Sequence, residues 1–552
     1  MISKRDVKHS FIKRNYFFLF IGIAIFLMLS IRLAYLQFTE GQSLQVSADS
    51  QYNEEYEINN VNFFLLDNQG NKLANSTIKY FVVVDPITFY TLNDDNDFVA
   101  MKNISYILRS YNKKFDITLL QSEMDKGKVK YEVDEETYNK IIGIDGIKGI
   151  YAYEFNEYDL PMNWNVINML SHMVKYSDNT KLKDEGTLES QIYNYIKDNE
   201  GDKFRIEEDV SKNVINKEVV VNPNNRNVVT TLNKTIQESV QAVLRNDTFK
   251  DHDQIGAIIM DSQNGDILAM AQKDDNLSNV NIGIPSGNGF LLGSTFKTIV
   301  YESALSNEIV TTDEVFNLKG IFPDSIEKRS SYNIHEAYVA SSNDVFAQIG
   351  WRVGIKNLYN TANNLGFFDT VLNLQDERKG TIEDYGVKDD SEIITNTAIG
   401  QTVRATPLAA LSIPNTIINK GQYVKPRIIK KIIDNVGNSI EEFEVEKRQV
   451  IDPYIADNIK KSMVDVVNDD LGTGYNARIS DLEVGGKTGT SEYLENGKKC
   501  SDGWFAGFFK YNNKYYSIVV FLPQSKELQG DSKVACTVFN NIVNCIVEKK
   551  LL

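Results

Sequence analysis

Residues Gln254–Ala271 read QIGAIIMDSQNGDILAMA. Two apolar runs, Gln254–Asp261 and Asp266–Ala271, flank Asn264-Gly265. That dipeptide tolerates positive φ and is the strongest short hairpin signal, so an antiparallel hairpin is expected here. Near the C-terminus, Gly503–Phe509 and Tyr515–Leu522 read as a second hairpin. Beyond it, Ala535, Val538, Phe539, Ile542, Cys545 and Ile546 mark the apolar stripe of a terminal helix. Between the hairpins, a helix should start near Ser294. A hairpin, then helices, then strands and a closing helix predict an α+β fold, a central antiparallel sheet flanked by helices.

Toward the N-terminus the pattern weakens. Asn222-Pro223-Asn224-Asn225-Arg226-Asn227 is a run of turn formers and a natural boundary. Residues 39–227 are polar and rich in Asn, Asp and Tyr. Within them Val61–Leu66 and Phe81–Asp85 read as strands, and Leu188–Lys197 as a helix. Tyr16–Ile31 (YFFLFIGIAIFLMLSI) carries no charge, and extended to Phe38 the run has 23 residues. A helix of that length crosses a hydrocarbon core of about 30 Å. Arg32 near its far end can snorkel to the interface. Lys4, Arg5, Lys8, Lys13 and Arg14 precede the run and favour a cytoplasmic N-terminus. A cleaved signal peptide would need small residues at the cut, and Arg32-Leu33-Ala34-Tyr35-Leu36-Gln37 offers no small-x-small site. The expected division is a cytoplasmic tail 1–15, an anchor 16–38, an extracellular domain 39–227 and a second domain 228–552.

Composition closes off several classes. The 552 residues carry a net charge of −16, which disfavours nucleic acid as a partner. Three cysteines cannot frame a disulfide scaffold. Cys536 and Cys545 are nine positions apart, on opposite faces of the terminal helix, and cannot bond to each other. The four histidines are scattered without ligand spacing. Glu492, Cys500 and Asp502 are the nearest approach to a metal set, but no second Cys or His accompanies them, and a solvated loop is the default reading. No metal or other cofactor is expected. Gly287-x-Gly289-x-x-x-Gly293 is one residue too long for a dinucleotide loop.

Three short motifs carry the chemistry. Ser294-Thr295-Phe296-Lys297 is S-x-x-K. Positions i and i+3 share a helix face, so an amine can reach the hydroxyl and take its proton once burial or a second cation lowers the amine's pKa. Taken alone, the same residues also read as a capped helix start with a solvated Lys297. Ser341-Ser342-Asn343 is S-x-N, and its hydroxyl and amide meet in one cleft if the backbone turns between them. Lys487-Thr488-Gly489-Thr490 follows Gly485-Gly486. On a strand, Lys487 and Gly489 point one way and Thr488 and Thr490 the other, and bare Gly489 leaves room for a substrate laid along the strand. S-x-N follows S-x-x-K by 47 residues, and K-T-G-T follows S-x-N by 144. Order and spacing together make chance an inadequate explanation.

With these motifs in place, the chain resembles a class B penicillin-binding protein. Gly256–Met270 is similar to the first hairpin of that family's transpeptidase domain. Ala398-Ile399-Gly400-Gln401 with Ala405-Thr406-Pro407-Leu408 resembles its GQ…TPL stretch, and Asp502–Gly507 the strand after K-T-G. The likeness covers about 228–552. Asp67–Ala74, with Leu188-Glu189 and Tyr193, resembles the family's pedestal boxes, although Asn62 and Asn68 stand where arginines are usual. Leu292 replaces the usual proline before Gly293-Ser294.

The resemblance implies a membrane-anchored D,D-transpeptidase that cross-links peptidoglycan stem peptides and is acylated by β-lactams. Ser294 would be the nucleophile and Lys297 its base. Ser341 and Asn343 would relay protons and hold the peptide amide. Lys487 with Thr488 or Thr490 would bind the terminal carboxylate along the strand at Gly489, and the N–H groups of Ser294 and Thr490 would form the oxyanion hole. A polytopic glycosyltransferase is the implied partner, since residues 39–227 show no glycan-polymerising box. A D,D-carboxypeptidase, a β-lactamase and a β-lactam-binding scaffold without turnover remain as alternatives. The pedestal and anchor argue against the β-lactamase, and the intact motifs against the scaffold.

Overall fold

The computed structural model describes residues 4–40, 52–94, 97–122, 127–323, 325–383, 391–495, 497–525 and 531–552. The chain forms two compact units. The smaller comprises Met1–Asn60, Ser76–Glu157 and Gly201–Asn222. It begins with the helix Lys4–Phe38. Within that helix, Arg14–Phe38 is long and apolar enough to cross a membrane, and none of its most apolar stretch is buried. One three-stranded sheet runs Val129–Val133, Ser76–Val84, Ile150–Tyr158, and another Asn53–Glu57, Lys203–Glu208, Val214–Val220. The strand expected at Phe81–Asp85 ends at Val84. Asp85 instead caps the helix Pro86–Thr91, because its carboxylate accepts from Thr88 N at 3.3 Å and Pro86 suits a first helical position.

The larger unit comprises Val61–Asn75, Tyr158–Glu200 and Pro223–Leu552. It therefore takes in two stretches that precede the turn-rich segment at 222–227. Of the strand expected at Val61–Leu66, only Leu65–Leu66 forms, in parallel with Val228–Val229. The helix expected at Leu188–Lys197 runs Leu188–Ile196, with Thr187 as its cap.

Elements of this unit are numbered here in chain order: α1 (Lys234–Leu244), β1 (Gly256–Asp261), β2 (Ile267–Gln272), α2 (Lys297–Ser306), α3 (Ile334–Ala340), α4 (Asn343–Val353), α5 (Pro453–Asn468), β3 (Val484–Glu495), β4 (Lys498–Tyr511), β5 (Lys514–Ser525) and α6 (Asp531–Glu548). The central sheet is antiparallel, in the order β2-β1-β5-β4-β3. Both faces are covered, which is why its strands read as continuous apolar runs rather than alternating ones. Ile258, Met260, Trp504 and Phe508 join the core that contains α2, α3 and α5. Ala257, Ile259, Phe505 and Phe509 face α1 and α6.

The two hairpins form with different turns. The first closes over Ser262–Gly265, with Asp261 N donating to Asp266 O at 2.9 Å. Only Gly265 has positive φ (+73°), and a Cβ there would lie 2.4 Å from Lys425 O. Asn264 contributes its side chain, which accepts from Asp266 N at 3.0 Å. The second extends past its expected ends to the pair Tyr511↔Lys514. Its two-residue loop, Asn512-Asn513, has φ of 48° and 62°, the left-handed pair of a tight hairpin turn. In α6 the fully buried thiol is Cys536, while Cys545, expected in the apolar stripe, is half-buried.

Candidate active site

Ser294 lies on a 3₁₀ turn, Gly293–Phe296, that leads directly into α2. Leu292 holds the N-cap position of this turn, and no side chain among the described residues caps it, so Ser294 is not an N-cap residue. Lys297, the first residue of α2, is 0% exposed rather than solvated. Its Nζ donates to Ser341 O at 2.6 Å and Asn343 Oδ1 at 2.7 Å, and lies 3.3 Å from Ser341 Oγ. The structure thus brings S-x-x-K and S-x-N together. A direct Lys297–Ser294 hydrogen bond is not among those made by the described residues.

The turn that S-x-N needs is supplied by Ser341 itself. It ends α3 in the left-handed conformation (φ 57°, ψ 36°), and α4 begins two residues later. A non-glycine residue held there stores strain, a common property of functional sites. Ser342 caps α4 and donates its hydroxyl to Glu327 Oε1 at 2.8 Å. Asp344 fixes the neighbouring loop by accepting from Lys319 N and Ile321 N at 2.9 and 2.8 Å.

Lys487, on edge strand β3, is also 0% exposed. Its Nζ donates to Ser341 Oγ at 3.0 Å and to Thr488 O at 3.1 Å. Two amines therefore converge on one hydroxyl. Burial lowers Lys487 to about 7. Burial and then the neighbouring Lys487 charge push Lys297 well below the ordinary lysine range, with Glu327 opposing. Aromatic rings flank both amines, Phe346 at 5.6 Å from Lys297 and Tyr338 at 5.6 Å from Lys487. A neutral amine has two N–H groups and one lone pair. With Ser341 O and Asn343 Oδ1 accepting both N–H groups of a neutral Lys297, its lone pair, with Ser341 Oγ at 3.3 Å, is the position that can take a proton.

Thr488 turns its hydroxyl to Thr473 Oγ1, 2.6 Å away, making a pair of hydroxyls beside the strand. Thr490 is half-buried. Its carbonyl accepts from Gln401 Nε2 at 3.4 Å, and Gln401 Oε1 accepts from Glu492 N at 3.3 Å. In an antiparallel strand, a residue's N–H and C=O point the same way, so the Thr490 N–H also faces the outer edge of β3. Gly489 does not leave open space. A Cβ there would meet Leu292 O at 2.7 Å and the Thr295 methyl at 2.8 Å, so this glycine lets β3 close on the turn carrying Ser294. Gly293 (φ +52°) completes the approach, since a Cβ on it would lie 2.3 Å from Thr490 O.

Three participants were not singled out from sequence as site residues: Thr473, Glu327 and Gln401. Gln401 belongs to the GQ…TPL stretch, whose pattern alone gives it no role, and the other two carry no signal short of the fold. The Glu492–Cys500–Asp502 grouping dissolves. Residues 498–502 belong to β4 rather than a loop. Register pairs Tyr493 with Cys500 and Ser491 with Asp502, but Glu492 with Ser501, so Glu492 faces the opposite side. Tyr493 OH occupies Asp502 Oδ1 at 3.0 Å.

Residues 255–544 match the penicillin binding protein transpeptidase domain. Stage V sporulation protein D of Bacillus subtilis is 26% identical over 565 residues, covering 96% of this chain and 85% of that one. A peptidoglycan synthetase from Bifidobacterium adolescentis shares the fold with a TM-score of 0.63 at 19% identity, covering 91% of this chain and 97% of its own. Penicillin binding protein 3 from Mycobacterium tuberculosis, complexed with aztreonam, does so with a TM-score of 0.60 at 18% identity, covering 90% and 98%. With two buried amines gathered on Ser341 and a family match over more than half its length, the chain belongs to the penicillin binding protein transpeptidase family, as a class B member.

Proposed function

We propose that this chain cross-links peptidoglycan by D,D-transpeptidation through an acyl-enzyme on Ser294. The observation that carries the assignment of roles is the placement of Lys297 Nζ, buried and held by Ser341 O and Asn343 Oδ1, one helical turn from Ser294. Ser294 Oγ attacks the carbonyl of the penultimate D-Ala of a stem peptide, and its proton passes to Lys297. The N–H groups of Ser294 and Thr490 receive the oxyanion, a contribution of about 3–4 kcal/mol for a well-placed donor. Collapse breaks the amide bond, the proton returns to the departing amine by way of Ser341 Oγ, and free D-Ala leaves. An amine of a neighbouring stem peptide then attacks the ester, forming the cross-link and regenerating Ser294. Asn343 holds the donor amide. Lys487, Thr488 and Thr490 hold its terminal carboxylate, with the Thr473 hydroxyl beside them. Gly489 keeps the strand in reach of the nucleophile. β-Lactams acylate the same hydroxyl.

Labelling with a fluorescent penicillin tests this assignment. Label should be lost in Ser294→Ala, and stem-peptide dimers should form in the presence of wild-type protein. Label persisting in Ser294→Ala overturns the assignment, and shortened monomers without dimers make the enzyme a D,D-carboxypeptidase.

The protein is membrane-anchored. We propose further that residues 1–15 are cytoplasmic, 16–38 span the bilayer, 39–227 form a pedestal and 228–552 form an extracellular transpeptidase domain. The basic cluster Lys4–Arg14 supports this orientation. A monofunctional cross-linker needs glycan strands made nearby, which supports a polytopic membrane glycosyltransferase as partner. Reporter fusions at the two termini test the topology, and co-purification from membranes tests the partner.

A further inference from the structure

The two expected oxyanion donors belong to segments far apart in sequence, the turn at Ser294 and the strand at Thr490. One short segment touches both. Gly400 O accepts from Gly293 N at 3.0 Å, directly before Ser294. Gly400 has φ +79°, and a Cβ on it would lie 2.0 Å from Gly293 O, so only glycine allows this approach. The next residue, Gln401, reaches β3. Its carboxamide donates to Thr490 O at 3.4 Å and accepts from Glu492 N at 3.3 Å. This exchange reproduces, with one side chain, what a paired strand would do along that edge. β3 is the last strand of the sheet among the described residues, which place no neighbouring strand along its outer edge.

We propose that Gln401 is a positioning residue for the oxyanion site: with Gly400 behind it, its carboxamide fixes the edge of β3 at Thr490 against the turn that carries Ser294. This rests on the assignment of Ser294 as nucleophile and of Thr490 N–H as an oxyanion donor. Gln401 itself touches no reacting atom. It acts through the Thr490–Ser491 peptide, whose carbonyl it holds. Both of its bonds are long, so the carboxamide steers the strand edge without locking it. A substrate amide can share Thr490 O, since a carbonyl has a second lone pair.

The test uses the full-length protein in detergent, with acylation by benzylpenicillin resolved into a noncovalent dissociation constant and an acylation rate constant. In Gln401→Ala the rate constant should fall about tenfold to a hundredfold, the usual effect of misplacing reacting groups by about 1 Å or weakening one oxyanion donor. The dissociation constant should stay within about threefold. Gln401→Glu keeps the volume. As a carboxylate it opposes Thr490 O with a lone pair, and as a protonated acid it donates to it. Its acylation rate, divided by the wild-type rate at the same pH, should therefore rise as pH falls through the carboxyl's titration. A purely structural role for Gln401 would leave that ratio flat.

A wild-type rate in Gln401→Ala, or a flat ratio in Gln401→Glu, overturns the proposal. Should Gln401→Ala fail to fold, the Gln401→Glu ratio decides alone. Failure of the underlying assignment looks different, since wild-type protein would then not be acylated or Ser294→Ala still would be.

Discussion

Lys487 Nζ and Ser341 Oγ meet at 3.0 Å across a separation of 146 residues. That contact sets a second cation beside Lys297 in a water-poor site, and two like charges there cannot both persist. The base that Ser294 requires is thus kept neutral by its neighbour as well as by burial.

Removing the Lys487 charge should therefore make Lys297 easier to protonate. Acylation needs Lys297 neutral, so the rate is present above its pKa and lost as pH falls through it. In Lys487→Met the acid limb of the acylation pH profile should move to higher pH, alongside a lower maximum from the lost carboxylate partner. Benzylpenicillin acylation rates across the acid and neutral range provide the measurement. A limb that stays in place, or moves to lower pH, would contradict the coupling.

Lys487 also links acidity to stability. Its folded pKa of about 7 lies below the ordinary lysine value. Between those two values the unfolded chain binds the extra proton, so stability rises with pH across that window. Wild-type protein should gain melting temperature relative to Lys487→Met as pH is raised from about 7 to 10. A difference independent of pH would mean that the amine is not desolvated as its burial indicates.

Gly489→Ala places a methyl 2.7 Å from Leu292 O and 2.8 Å from the Thr295 side chain. Leu292 O is backbone and cannot swing aside, so β3 must retreat from the turn bearing Ser294. The expected result is a loss of penicillin acylation by about a hundredfold or more, as for other displacements near 1 Å, with the fold retained by circular dichroism. Near-wild-type acylation would show that the strand and turn tolerate separation.

The contrast between Lys487 and Gly489 shows what sequence can carry. Lys297, Ser341, Asn343 and Lys487 were legible because three short motifs stand in an order and spacing that resemble a known family, and the fold places their side chains together. Gly489 was legible as a residue but not in its role, since the space beside a glycine belongs to whatever packs there. The sheet was legible because the first hairpin announces itself in Asn264-Gly265 and the second in two neighbouring apolar runs, although the Asn512-Asn513 turn that closes the second was not singled out. The loop expected around Cys500 is instead strand, because the pairing that extends β3 and β4 past the K-T-G-T motif is invisible in a short polar stretch; its register also sets Glu492 on the face opposite Cys500 and Asp502. Stretches 61–75 and 158–200 join the larger unit through long-range packing that no local pattern records.

A buried ion pair in the larger unit gives the last prediction. Lys183 Nζ and Glu189 Oε1 are 3.0 Å apart, with side chains only 2% and 0% exposed. Lys183 also donates to Met169 O at 2.7 Å, and Glu189 accepts from Gln375 N at 3.0 Å. Burial lowers the Lys183 pKa, and the Glu189 charge opposes that shift. Removing one partner strands the other charge without solvent, so Lys183→Met should cost about 3–5 kcal/mol. The double variant Lys183→Met/Glu189→Leu strands no charge, although the Gln375 N–H loses its acceptor, and should recover much of that loss. Denaturant unfolding of the wild type, both single variants and the double variant closes the cycle. Additive losses would show the two charges to be independently solvated, and the segment 158–200 would then owe its place to apolar packing around Met169, Leu170 and Ile192 instead.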